Sequence, residues 1–86
     1  MPEIDYEMLG HVRSGRNRKQ IVKRLSDGPS TTRDLADEFQ TSQSSISSTL
    51  SDLREAGVVH RLNESSRVTY YGLTEAGERV SEELEA

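Results

Sequence analysis

Cysteine is missing from all 86 residues, which removes disulfides and thiolate metal sites from consideration. Tryptophan is missing too, and one Phe and three Tyr are the only aromatic side chains, so the core must be built mostly from aliphatic residues. No apolar run approaches the roughly 18 residues of a membrane span. The acidic first residues do not resemble a signal peptide. The expectation is a soluble, cytoplasmic protein with no membrane partner. Histidine occurs twice, at His11 and His60, far apart and without ligand-like spacing, so no metal and no cofactor are expected. Serine is plentiful, yet there is no G-x-S-x-G elbow and no phosphate loop, and the glutamates of 75–85 read as a solvated helix face. No catalytic residue is expected, and no enzyme.

What is present is charge, unevenly placed. The net charge of −4 argues at first against a nucleic-acid partner. Its distribution argues the other way. Residues 13–24 carry six bases (Arg13, Arg16, Arg18, Lys19, Lys23 and Arg24) and no acid, while residues 25–57 and 73–86 are each acidic. A basic stripe on an acidic molecule is an electrostatic footprint for a polyanion.

The apolar residues fall in periodic clusters. Ile4, Met8 and Val12 stand four apart and predict a short first helix, which Gly10 and the Ser14–Gly15 pair weaken or end. Ile21, Val22 and Leu25 share one face of a helix over 16–26, stopped by Gly28-Pro29. These two segments also fit one longer, kinked helix. Thr31 opens the next helix, with Asp34 at capping-box spacing and Leu35, Ala36 and Phe39 inward. Gln40-Thr41 leads to Ser42, an N-cap, and Ile46, Leu50 and Leu53 then recur until Gly57. Two short helices, each with one apolar stripe, bury little unless they cross. The helix-turn-helix solves that. After Gly57 the period changes: 58–62 and 67–71 are strand candidates around a turn-rich 63–66, a β-hairpin. Thr74 caps a last helix carrying Ala76, Val80 and Leu84.

The order of these pieces resembles the winged helix-turn-helix regulators of the MarR and ArsR types and their archaeal relatives. The resemblance covers roughly residues 16–80. It rests on Gly28-Pro29, Thr31-x-x-Asp34-Leu35-Ala36, Ser42 before the Ile46–Leu50–Leu53 helix, Glu55-Ala56-Gly57-Val58-Val59, and Tyr71-Gly72-Leu73-Thr74-Glu75-Ala76-Gly77, which is similar to the Y-x-L-T-x-x-G run after the wing. It implies an α+β, mostly helical winged helix-turn-helix fold, a recognition helix at about 43–56 and a wing at about 60–70. It also implies a homodimer on palindromic double-stranded DNA, most often as a repressor. Two features depart from the pattern. Gln40 and Thr41 stand where the turn usually carries Gly and then Ile or Val, and residues 42–51 hold six serines and no base. Winged helices also serve as protein-interaction modules, and the base-free helix and acidic last helix favour that alternative.

Candidate DNA contacts follow from helical geometry. With Ile46, Leu50 and Leu53 inward, Ser44, Ser48 and Ser51 point away, Ser47 lies on the flank, and Gln43 stands in the first turn. Gln pairs bidentately with adenine and serine hydroxyls reach either base edges or phosphate, so Gln43, Ser44, Ser47 and Ser48 are the candidate base readers. Ser42 and the backbone N–H groups at this helix start favour a phosphate. Arg16, Arg18 and Lys19 form either a phosphate clamp or a solvated face paired with the molecule's own acids. Thr32 and Arg33, beside the capping Thr31, are placed for a phosphate as well. For the wing, Arg61 and Arg67 on either side of the loop take the backbone or minor-groove role that the resemblance implies. Residues 1–86 are read as one domain with its core at about 16–80. The terminal stripes, without an obvious place in a three-helix core, are the candidate dimer seam. The place of action is then the cytoplasm, on the nucleoid.

Overall fold

The computed structural model describes residues 5–63 and 67–85. Its first helix, α1 (Tyr6–Arg13), starts where the Asp5 carboxylate accepts the backbone N–H groups of Glu7 and Met8, both at 3.1 Å. Ile4, the first residue of the expected stripe, lies outside the described residues. Gly10 does not interrupt α1. The chain turns at Ser14–Gly15, and α2 (Arg16–Leu25) is a separate helix, so the single kinked helix does not form. Gly28, at φ +143°, and Pro29 then carry the chain into a two-residue strand, β1 (Ser30–Thr31).

Thr31 ends β1 and also caps α3 (Thr32–Phe39), its Oγ1 accepting the Asp34 N–H at 3.0 Å. Gln40 closes α3 in the left-handed conformation (φ 54°, ψ 48°), with the N–H of Thr41 donating back to the Ala36 carbonyl at 3.0 Å. Ser42 then caps α4 (Gln43–Glu55) by accepting the Ser45 N–H at 3.1 Å. Ile46, Leu50 and Leu53 are buried, as their spacing predicts. After Gly57 (φ +82°), β2 (Val59–Leu62) pairs antiparallel with β3 (Tyr70–Leu73), and β3 pairs with β1 on its other edge. The last helix, α5 (Glu75–Glu85), is capped by Thr74, whose Oγ1 accepts the Gly77 N–H at 3.0 Å and donates to the Gly57 carbonyl at 2.6 Å. Helices, a hairpin wing and a C-terminal helix make a mostly helical α+β winged helix-turn-helix.

Two expectations are corrected. The second wing strand is not 67–71 but Tyr70–Leu73, because Leu73 pairs with Val59 directly before the Thr74 cap. Arg67, Val68 and Thr69 consequently lie in the wing loop. Gly72 sits inside β3 opposite His60, where a Cβ would lie 3.2 Å from Leu62 Cδ1. β1 went unread, since two residues have no period. Finally, Met8, Val12, Val80 and Leu84 are not left over at the termini. Leu9, Val12 and Val80 belong to the buried cluster that Ile21, Val22, Leu35, Leu50, Leu53 and Val58 also form, with Met8 and Leu84 packed against it. Those stripes therefore offer no ground for a dimer seam.

Candidate nucleic-acid interface

The outer face of α4 follows directly from its inner one. Turning Ile46, Leu50 and Leu53 into the core leaves Gln43, Ser44, Ser47 and Ser48 exposed together over the first two turns. Ser42 is also exposed, but its hydroxyl is engaged as the cap and with Ser45 Oγ at 3.0 Å. The cap satisfies one of the first-turn donors. The N–H groups of Gln43 and Ser44 remain at the helix start, where the macrodipole is positive.

Two open grooves flank this helix. On one side the start of α3, the start of α4 and the wing loop meet, so that Thr32, Arg33, Gln43 and Arg67 line one surface, with Tyr70 beside them. Asp34 and Asp37 line it as well, and their charge opposes that of the arginines. On the other side the N-terminus of α2 approaches the middle of α4, and Arg16 and Asn17 face Ser48 and Thr49 across a shallow cleft. Among the described residues, Arg16, Arg33 and Arg67 form no ion pair, so their charge is available to a ligand.

Arg18 is different. Its Nε donates to Asp52 Oδ2 at 2.7 Å, and one terminal nitrogen donates to the His11 carbonyl at 2.9 Å and to Ser14 Oγ at 3.0 Å. His11 Nε2 meets the same Asp52 oxygen at 3.0 Å. This network joins the end of α1 and the start of α2 to the recognition helix, and it engages Nε and one terminal nitrogen of Arg18, leaving the other terminal nitrogen on the groove that Arg18 also lines. Arg24 is likewise held, by both Glu38 oxygens at 2.9 and 3.0 Å. Of the two readings of the basic run, the pairing with internal acids thus holds for Arg18 and Arg24 but not for Arg16. Lys19 is half-buried and lines neither groove; Arg61 is exposed on β2 opposite Tyr71, also outside both.

Sequence reasoning missed Tyr70 and Asn17. The signal for Tyr70 was present: strand alternation puts Tyr70 and Tyr71 on opposite faces, and Tyr71 packs against the core while Tyr70 remains 39% exposed. The Arg18–Asp52–His11 network had no such signal, because its members are 34 and 41 residues apart. Among the described residues no group of three or more His, Cys, Asp or Glu side chains could hold a metal ion, and no helix is long and apolar enough to cross a membrane.

Residues 16–61 match the family model of the bacterial regulatory proteins of the arsR family. Among solved structures, HlyU from Vibrio cholerae N16961 is 26% identical with a TM-score of 0.79, over 93% of this chain and 84% of HlyU. The adhesin competence repressor AdcR of Streptococcus pyogenes is 25% identical with a TM-score of 0.76, over 83% of this chain and 55% of AdcR. ZitR of Lactococcus lactis, solved in complex with DNA, is 22% identical with a TM-score of 0.74, over 80% of this chain and 49% of ZitR. The chain spans about half the length of AdcR and ZitR, and at its identity ZitR attests the fold alone. No curated protein matches the sequence.

Proposed function

The chain belongs to the ArsR family of bacterial regulatory proteins, and on that premise we propose that it is a sequence-specific, DNA-binding transcription regulator, acting as a homodimeric repressor. It is not an enzyme. The observation that carries the proposal is the outer face of α4: Gln43, Ser44, Ser47 and Ser48 are exposed there, between Arg33 and Arg67 on one flank and Arg16 on the other. A neutral hydrogen-bonding surface suits base edges in the major groove. Cations on both sides suit the two phosphate backbones that bound the groove. ZitR, solved with DNA, and AdcR, named a repressor, support the same direction.

The proposed division of labour follows from contacts. Gln43, Ser44, Ser47 and Ser48 read bases. Thr32, Arg33, Arg16 and the start of α4 at Ser42 hold backbone, and Arg67 reaches the backbone or minor groove from the wing loop. Arg61 and Lys19 add to the field at longer range. Arg18 is held in place by the α1–α2–α4 network, which leaves one terminal nitrogen to assist Arg16 on the backbone. A single α4 covers only a few base pairs, too short a word to find in a genome. Two copies about a two-fold axis, one DNA turn apart, double it, and this supports the dimer. Such a protein works on the nucleoid, in the cytoplasm.

Selection from random-sequence duplexes, followed by gel shift at low salt, tests the proposal. One enriched palindromic motif, bound as two chains per duplex, is expected. Failure of the folded protein to bind any selected DNA turns the assignment to a protein-interaction module.

A further inference from the structure

A groove of about 570 Å³ runs between the end of α2, the β2–β3 hairpin and α5. It shares no residue with the grooves beside α4. Its floor is formed by the buried Leu25 and the half-buried Leu62 and Leu73, and its exposed rim holds Pro29 and acids. Asp27 stands on one side, and Glu78, Glu82 and Glu85 on the other. Spacings of four and three place these glutamates on one face of α5. No Lys or Arg lines the groove.

Two observations separate this rim from an ordinary solvated helix face. The first is that the acids are badly placed for helix stability. Glu82 and Glu85 sit at the negative end of the macrodipole, Glu78 and Glu82 repel at i,i+4, and no basic residue occupies the last turn. The one α5 ion pair among the described residues, Arg79 with Glu75 at 3.6 Å, involves none of the three. The second is Ser81, which lines the groove between Glu78 and Glu82 and is only 3% exposed. Its hydroxyl forms no hydrogen bond with a described residue. It is not sealed in the core as the unpartnered Ser30 Oγ is, so it opens onto the groove.

We infer that this groove binds a small organic cation, whose ammonium group lies among the α5 carboxylates with one N–H donated to Ser81 Oγ, and whose apolar body rests on the leucines. The volume is that of small-molecule sites, which run to several hundred Å³. The rim is exposed, so each carboxylate contributes little alone and affinity depends on several acting with the floor. The inference is independent of the DNA reading.

Three isosteric probes test it: phenethylamine, 2-phenylethanol and phenylacetate, titrated into the full chain at neutral pH and followed by backbone amide NMR. Phenethylamine should give saturable shifts at 25–28, 60–62, 72–73 and 78–85, with the alcohol much weaker and the acid silent. The Glu78→Gln/Glu82→Gln variant should weaken phenethylamine on the order of five- to twenty-fold, since each exposed pair contributes a factor of a few. Its unliganded melting temperature should not fall, because the change removes a repulsion. Ser81→Ala should weaken the amine and leave the alcohol unchanged. The inference is overturned by no saturable shift at millimolar phenethylamine, by shifts outside the groove, by an equal response to all three probes, or by a double variant that binds as the parent does.

Discussion

Gly77→Ala has opposite expected signs at two levels of description. Helix propensity alone predicts stabilisation of about 1 kcal/mol, because Gly in a helix interior is that much worse than Ala. The structure predicts the reverse. A Cβ at Gly77 would run into the Val58 carbonyl oxygen, and it would lie 3.0 Å from the Val58 carbonyl carbon and 3.3 Å from Val58 Cγ1. The obstacle is backbone, which no rotamer change relieves. That same carbonyl accepts the Thr74 N–H at 3.0 Å. Moving α5 away therefore opens the Thr74 cap and unpacks Val80, which is 1% exposed. Overpacking costs about 1–3 kcal/mol, and weakening two hydrogen bonds costs about 1 kcal/mol each. Set against the propensity gain, the net loss is about 2–4 kcal/mol, from a total of about 4–13 for a chain of this length. At about 4–8 °C per kcal/mol, the melting temperature should fall by about 8–32 °C. Gly10→Ala is the control: it lies in α1 with nothing within 4 Å of its Cβ position and should gain about 1 kcal/mol. Thermal and urea melts of both variants decide the matter. A Gly77→Ala protein as stable as the parent would refute the packing of α5 on Val58.

Leu50→Ala should cost about 2–5 kcal/mol, because Leu50 is wholly buried beneath the helix-turn-helix; a melt within error of the parent would mean that the register of α4 is wrong. Gln40→Gly should stabilise by a few tenths to about 1 kcal/mol, since relief of the left-handed backbone (φ 54°) exceeds the added chain entropy; a lower urea midpoint would contradict it. A double-mutant cycle of Arg18→Ala and Asp52→Ala should give a coupling of about 1 kcal/mol or less, because the pair is about a third exposed, and a coupling of zero would show the network to be idle.

Helix boundaries and inward faces were legible because they are local. Asp34 three residues after Thr31, Ser42 before an i, i+4, i+7 stripe, and Gly57 at positive φ each encode their structure within a few residues. The Tyr71–Gly77 run was legible as a pattern, and its packing gives the reasons: Leu73 opposes Val59, Thr74 ties the helix start to Gly57, and only Gly fits over Val58 at position 77. The wing register was not legible. It depends on β2 and on the edge that β1 adds, and β1 is two residues whose strand exists only through its partner. Nor could the terminal stripes be placed, since Leu9, Val12 and Val80 meet the core only in three dimensions. At the site, the outward face of α4 followed from helical period. Which cations stay available did not, because Arg18 and Asp52 look equally free in a linear sequence.

On the proposed reading, α4 reads bases while the cations beside it hold phosphates. Salt titrations of Arg67→Ala and Gln43→Ala, each on a selected duplex and on its scrambled counterpart, test it most directly. Affinity falls with salt by a log–log slope of about 0.9 per neutralised phosphate. Arg67→Ala should weaken both duplexes alike and make the slope shallower by roughly two units per dimer, one for each wing. Gln43→Ala should leave the slope unchanged, cost about 1–3 kcal/mol per half-site on the selected duplex, and cost nothing on the scrambled one. Equal losses on both duplexes for Gln43→Ala would contradict the account, because a residue that weakens every sequence alike is not reading any.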